Sequence, residues 1–481
     1  MLIERHGILL AGALFLFLAG AGGGLARPSA SSAAEPSSPG TPQDDPVEHA
    51  ADPSRNVFQS DMTLMTGMTP RDPMGGMVMP GWHLMDMGVA RLSYDRQGGP
   101  SGKAVLESSN WNMVHAQHDL WGGRLSLMMM NSLEPATMTR RGSPQLFQEG
   151  ETLDRQPLID VQHPHDFFMN LSATYRRPLG DADAADAGFW VQYAPVGEPA
   201  LGPPAFMHRA SSGENPTAPL GHHGQDSTHI TFGVVTAGIG WRWISLEGSA
   251  FHGREPDENR WDFETGKLDS ASARVKLSLG RAWSAQVSHG SVHDPDLLYP
   301  GVIHRTTASI HYGADGDRPA AVSLIWGRDQ DGGRGAPSTA LGIVALPEGA
   351  ATRGLFAIRH PNAPRGYTDY WLLEGAYQIT ARDQLYGRGE YLDRNFQLLF
   401  LKQNALPGQP IGTNVVRIKA ATLGYLRNFE LFEGLNTGVG ADITAYRFSQ
   451  FLNAVYGSSP LSTHVFVRLR WGRPHGAGHV M

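Results

Sequence analysis

The sequence predicts an all-β fold: a transmembrane antiparallel β-barrel of about 16 strands, with short periplasmic turns and long extracellular loops. Three observations predict it. Runs of about 8 to 16 residues alternate apolar and polar side chains, the number of runs is even, and the connections alternate between short and long. Helical periodicity is hard to find, and 58 glycines and 33 prolines in 481 residues imply many turns. A secreted sandwich or propeller would also have many strands, but not strands this long with connections this regular.

The chain begins MLIERHGILLAGALFLFLAGAGGGLA, with Arg5, an apolar run from about Ile8 to Ala19, and Gly24 and Ala26 at −3 and −1 before Arg27. This is the pattern of a secretory signal peptide over 1–26. A membrane anchor needs roughly 20 apolar residues, and glycines interrupt this run first. Residues 27–56 are mostly Pro, Ser, Ala and Asp and predict a disordered linker. The expected organisation is linker plus a methionine-rich periplasmic arm over 27–80, barrel over 81–471 and a C-terminal tail over 472–481. The chain has no cysteine, which excludes disulfides, thiolate metal sites and thiol catalysis. A net charge of −7 without a basic block excludes a nucleic-acid partner.

Strands are expected near 83–95, 109–119, 123–132, 166–178, 188–195, 228–238, 240–253, 268–279, 282–293, 303–313, 319–330, 367–380, 383–396, 414–428, 434–449 and 461–471. In ASARVKLSLG, Ala273, Val275, Leu277 and Leu279 share one face and Ser272, Arg274, Lys276 and Ser278 the other. In THVFVRLRW, Val465, Val467, Leu469 and Trp471 oppose His464, Phe466, Arg468 and Arg470. DLWGG, PLGDADAADAG, AGIG, LGRA, GADGDRP, ITARDQ and NFELFEG read as short turns, and 133–165, 196–227, 254–267 and 331–366 as long loops. A further hairpin within 331–366 would raise the count to 18. Because a bilayer offers no water to backbone groups, a sheet can span it only when closed, which points to the bacterial outer membrane and a lipid surround. Trp241, Trp243, Tyr367, Trp371 and Trp471 near strand ends fit interfacial girdles.

The face opposite the apolar one is expected to line the lumen, with Arg274, Lys276, Arg388, Arg417, Lys419, Arg468 and Arg470 against Glu374, Glu390 and Asp442. An open pore with this wall would mildly prefer anions.

The stretches NSLEPATM, GSPQLFQEGETLDRQPLIDVQHPHDFFMNLS and APVGEPALGPPAFMHRASSGENPTAPLGHHGQDSTHITFGVVTAGI resemble a family of uncharacterised bacterial outer-membrane porin-like barrels found in copper and heavy-metal resistance settings. The remaining barrel is similar only in character. The resemblance implies a location and a setting; it carries no catalytic role.

Three clusters carry metal-binding chemistry. Met62, Met65, Met68, Met74, Met77 and Met79 lie in the arm, where glycine and proline break up any packed helix. Their thioethers are soft, neutral ligands that suit Cu(I), so bound copper is a candidate although no cofactor is required; adaptable apolar packing is the alternative. Met113, His115, His118, Met128, Met129 and Met130 follow on the hairpin of the second and third strands, facing either lumen or lipid. In DVQHPHD, His163 and His165 point the same way about 7 Å apart, with Asp166 as ligand or orienting acceptor. His208, His222, His223, Asp226 and His229 come from the next long loop on the same side of the barrel. Loop histidines can equally well only bond backbone groups.

No nucleophile elbow, phosphate loop or HExxH helix is present. The leading expectation is a porin-like channel or metal-handling barrel for small solutes or metal ions, linked to copper or soft-metal homeostasis. Its alternatives are a metal-dependent hydrolase built on the loop histidines, with Ser227 nearby, and a structural or adhesive barrel.

Overall fold

The computed structural model describes residues 78–79, 81–180, 186–280, 282–314, 318–332, 343–344, 356–357, 366–405, 415–432 and 434–472. The expected signal peptide, the linker, Met62, Met65, Met68, Met74 and Met77, and all but the first residue of the expected tail lie outside them. Met79 falls in a two-residue strand, Val78–Met79, that folds back on the start of the barrel.

Sixteen strands form the wall. They are β1 (Trp82–Arg96), β2 (Ala104–Leu120), β3 (Gly123–Asn131), β4 (Phe168–Pro178), β5 (Ala187–Gly197), β6 (Thr231–Trp241), β7 (Ile244–Phe251) and β8 (Ser270–Leu279). The second half comprises β9 (Trp283–His293), β10 (Val302–Ala314), β11 (Ala320–Asp331), β12 (Tyr367–Gln378), β13 (Asp383–Asn395), β14 (Val415–Phe432), β15 (Leu435–Arg447) and β16 (Leu461–Trp471). Each pairs antiparallel with its neighbour in sequence, and β1 pairs with β16 from Gly88↔Trp471 to Arg96↔Thr463. The sheet therefore has no free edge, the condition a β-structure must meet to cross lipid.

The outward face is apolar. Leu106, Val191, Val235, Leu246, Val287, Leu324, Leu373, Leu423, Val439 and Val465 are exposed on strands around the whole circumference. At the turn end, exposed Trp121, Trp241, Trp243, Trp283, Tyr377 and Phe432 supply the aromatic girdle of a membrane interface. Trp471 instead lies buried over Gly88, where any side chain would meet its ring. The chain is an outer-membrane β-barrel with long loops at one end and tight turns at the other.

Two details differ from the sequence expectation, and the alternative of 18 strands falls away. The β6–β7 turn is Arg242–Trp243, not AGIG, and Arg242 takes the left-handed conformation the tight turn demands, at φ 51°. Among the described residues Ile343–Val344 and Phe356–Ala357 pair with each other and β11 pairs directly with β12, so the wall has sixteen strands and not 18. Arg417 and Lys419 point outward with Leu423 and Tyr425, beside the Tyr391 ring, and do not line the lumen. Near the loop end the inner positions of β14, Val416, Ile418 and Ala420, pack into an apolar core. Polarity there marks the outside.

That core explains the reversal. Leu146 and Phe147 from the 132–167 loop and Leu220 from the 198–230 loop meet Tyr370, Leu392, Phe396, Leu398, Leu399 and Tyr456 at the loop end of the barrel. The loops turn inward and the wall beside them becomes interior.

Candidate functional site

The 198–230 loop runs through the lumen. Its Ala200 amide donates to Ser249 on β7 (2.7 Å) and Gly202 to Ser288 on β9 (2.9 Å). Arg209 donates to Glu374 on β12 (2.6 Å), Ser211 bonds Ser323 on β11 (2.6 Å), and Leu220 donates to Glu390 on β13 (2.6 Å). Glu214 accepts from Arg468 (2.6 Å) and Arg470 (2.7 Å) on β16, and Arg91 on β1 donates to the Gly213 carbonyl. A segment that touches the inner face on all these sides can only sit inside it. The loop is a plug.

The plug and the wall's own carboxylates together neutralise the wall. Arg274 pairs with Glu247 (2.8 Å) and Glu198 (3.4 Å), Lys276 with Glu247 (3.0 Å), and Arg468 and Arg470 with Glu214. Arg388 donates to the Thr217 carbonyl (3.1 Å). Arg91 and Arg468 stand directly opposite each other where the barrel closes, an arrangement of like charges that destabilises a sheet unless compensated. Burial alone would raise the Glu214 carboxyl, but Arg468, Arg470 and Arg91 hold it down at about 2, so it is ionised. The basic wall on which an anion preference would rest is thus largely compensated by nearby carboxylates.

Beside the plug, the two loops bring the histidines together. His163 and His223 lie 5.6 Å apart between ring centres, His165 and His229 5.5 Å, His222 and His223 5.3 Å, and His222 and His229 5.1 Å. His163, His165, His222 and His229 line a cavity of about 10 Å³, room for one water or one ion, together with Glu151, Asp166, Glu255 and Arg260.

The rings are oriented by carboxylates and carbonyls. His165 Nδ1 donates to Glu134 (2.8 Å), His222 Nδ1 to Asp226 (2.6 Å), and His229 Nδ1 to the Asp226 carbonyl (2.9 Å). Burial holds His222 and His229 below the usual histidine range, so both are neutral, with the proton on Nδ1 and a lone pair on Nε2. The Nε2 of His229 is buried with no hydrogen-bond partner among the described residues. This is the arrangement in which an outer carboxylate or carbonyl fixes the tautomer of a metal-ligating imidazole.

The other three sequence-predicted residues are engaged elsewhere. His163 donates from Nδ1 to the Pro164 carbonyl (3.1 Å), and its Nε2 lies 3.2 Å from Glu151. Burial pushes Glu151 up to about 8 against the pull of Arg260, with which its other oxygen pairs. Asp166 is tied to Arg260 at 3.1 Å, with burial raising it to about 6, and His223 faces Glu255 at 3.4 Å. No three His, Asp or Glu side chains among the described residues are already arranged to hold a metal ion. Ser227 accepts from Arg305 (2.8 Å) and no histidine nitrogen is bonded to it among the described residues, so it is not set up as a nucleophile.

Glu134, Glu151, Glu255 and Arg260 were not foreseen from sequence. Glu134 and Glu255 come from loop positions with no local motif, and only Glu151, within EGETLD just upstream of DVQHPHD, stood near a marked residue. In the second methionine group, Met113, His115 and Met130 are buried on the inner face, Met129 is exposed outward, and His118 stacks on Trp82 at the turn end.

No family model and no curated protein matches the chain. Among solved structures it is similar to the outer membrane channel DcaP of Acinetobacter baumannii (10% identity, TM-score 0.45, 83% of this chain and 99% of that one). It is also similar to Pseudomonas putida OprB (8%, 0.48, 82% and 94%) and to an anion-selective porin from Comamonas acidovorans (9%, 0.42, 81% and 100%). The chain is a closed antiparallel barrel of sixteen strands. Its closed sheet and apolar belt place it in the bacterial outer membrane.

Proposed function

We propose that this barrel is a plugged outer-membrane channel for metal ions, in which His165, His222 and His229 take a transition-metal cation such as Cu(II), Zn(II) or Ni(II) as it enters from the loop end. The observation that carries the reading is the set of three imidazoles with Nδ1 committed to Glu134 or Asp226, two of them held neutral, around a cavity the size of one ion. Imidazole nitrogen suits these borderline cations. Small movements of the loop would bring the three Nε2 atoms to a common ion. A link to copper or soft-metal homeostasis belongs to the same proposal, with the arm methionines Met62, Met65, Met68, Met74, Met77 and Met79 as a capture segment on the periplasmic side.

The test is calorimetric titration of the purified barrel in detergent with Cu(II), Zn(II) and Ni(II), alongside single-channel conductance. We expect one strong site, abolished in His165→Ala, His222→Ala and His229→Ala and retained in His163→Ala, and a conductance that changes when the metal is added. A parent protein that binds none of the three cations refutes the proposal.

A further inference from the structure

The inner wall carries a second set of soft donors, apart from the loop histidines. Two neighbouring rows cross β1, β2 and β3 in register. Met87 stands opposite Met113 and Met113 opposite Met130, while Met85 stands opposite His115 and His115 opposite Met128. Met87, Met113 and Met130 are buried in one cluster with Met169, against which Met128 and Met207 pack. The lumen face of an outer-membrane barrel is ordinarily polar, so a thioether lining needs a reason.

Packing against Met207 of the plug accounts for part of it, since methionine fills irregular gaps. It does not account for His115. This side chain is 6% exposed, and its Nδ1 has no hydrogen-bond partner among the described residues. Leaving a buried polar atom unsatisfied costs about 1–3 kcal/mol, and the residues facing His115 from both neighbouring strands are thioethers, which have no proton to give it.

We propose that His115 with Met85, Met113 and Met128 forms a binding site for a soft monovalent cation, Cu(I) or Ag(I). Directly opposed residues hold their Cβ atoms about 4.5–5.5 Å apart, and the flexible methionine side chain lets a sulfur from each side reach an ion at the imidazole. The donors are neutral and soft, which selects these cations over hard ones. Ile230 belongs to the methionine cluster and also lines the histidine cavity, so the two sites adjoin, with His115 towards the turn end. The proposal uses residues separate from the histidine cavity and stands or falls without it.

The test uses the full-length protein in detergent with Met62, Met65, Met68, Met74, Met77 and Met79 changed to leucine, so that the arm contributes no sulfur. Silver retained after dialysis is measured by mass spectrometry, and methionine methyl groups are followed by NMR. We expect one Ag(I) per barrel with the Met113 and Met128 methyl signals shifted. Losing a ligand should cost at least what losing an outer partner costs, about tenfold in affinity, in His115→Ala and in the Met85→Leu, Met128→Leu pair. His165→Ala should leave silver binding unchanged. Silver absent from the parent, or held equally by all variants, overturns the proposal. Leucine preserves volume, and a gel shift on heating checks folding; should a variant not fold, the methyl shifts of the parent decide alone.

Discussion

The carboxylate of Asp226 accepts from His222 Nδ1 at 2.6 Å. Its other oxygen lies 2.5 Å from Arg209 Nη1, and Arg209 reaches Glu374 in the wall at 2.6 Å. One carboxylate therefore orients a cavity imidazole and fastens the plug. Burial alone would raise it, but Arg209 and His222 hold it well below the usual carboxylate range.

Asp226→Asn should disturb both roles. We expect metal affinity to fall about 10–100-fold, as for other outer partners of ligating histidines. Breaking a buried pair from one side costs about 3–5 kcal/mol, so the plug should also become open to protease and conductance should rise. Unchanged affinity in calorimetry would show that Asp226 fastens the plug and nothing more.

Replacing residues 203–221 with a Gly-Ser linker should open the pore and remove Glu214. Arg91, Arg388, Arg468 and Arg470 would then lose their loop partners and face water, and the reversal potential in a KCl gradient should favour chloride. The parent should conduct poorly. Cation preference in the deletion would show that Glu247, Glu374, Glu390 and Asp442 dominate the emptied wall.

Acidification should loosen the plug. His208, packed against Trp111, is lowered by burial to about 4, with His165 adding repulsion. A histidine depressed from its usual value near 6.5 contributes stability that is present above that value and lost as pH falls through about 4. The contribution is on the order of 1–3 kcal/mol, and protease cleavage within 198–230 should rise between pH 6.5 and 4. His208→Phe should flatten that profile; an unaltered profile would assign it to other groups.

Gly327 on β11 meets the Gly224 carbonyl so closely that an added Cβ would collide with backbone. Gly327→Ala should cost about 1–3 kcal/mol as an overpacked contact does, seen as a lower temperature of the heat-induced gel shift. A variant as heat-stable as the parent would mean that the plug can shift at this point.

Much of the wall was legible because alternation reports burial directly: Arg274 and Arg468 face inward where the pattern put them. It failed at Arg417 and Lys419, since a pattern of polar and apolar residues cannot tell a lumen filled by Leu146 and Leu220 from lipid. The histidines could be marked by number and spacing, but their division was not readable. His163 differs from His165 only through Glu151 and Glu134, which reach them across loops that no local pattern connects. His115 was visible as a residue sharing a face with Met113, yet its isolation depends on register across three strands.

The pairing of Arg91 with Arg468 at the junction of first and last strands bears on how the molecule is assembled. Two cations meet at the seam, and the anion that reconciles them, Glu214, comes from the middle of the chain. A sheet that curled shut while empty would face this repulsion unrelieved, whereas one that closes around the seated loop does not. Seating the loop therefore strengthens the seam itself, and closure of the sheet and filling of its interior favour each other.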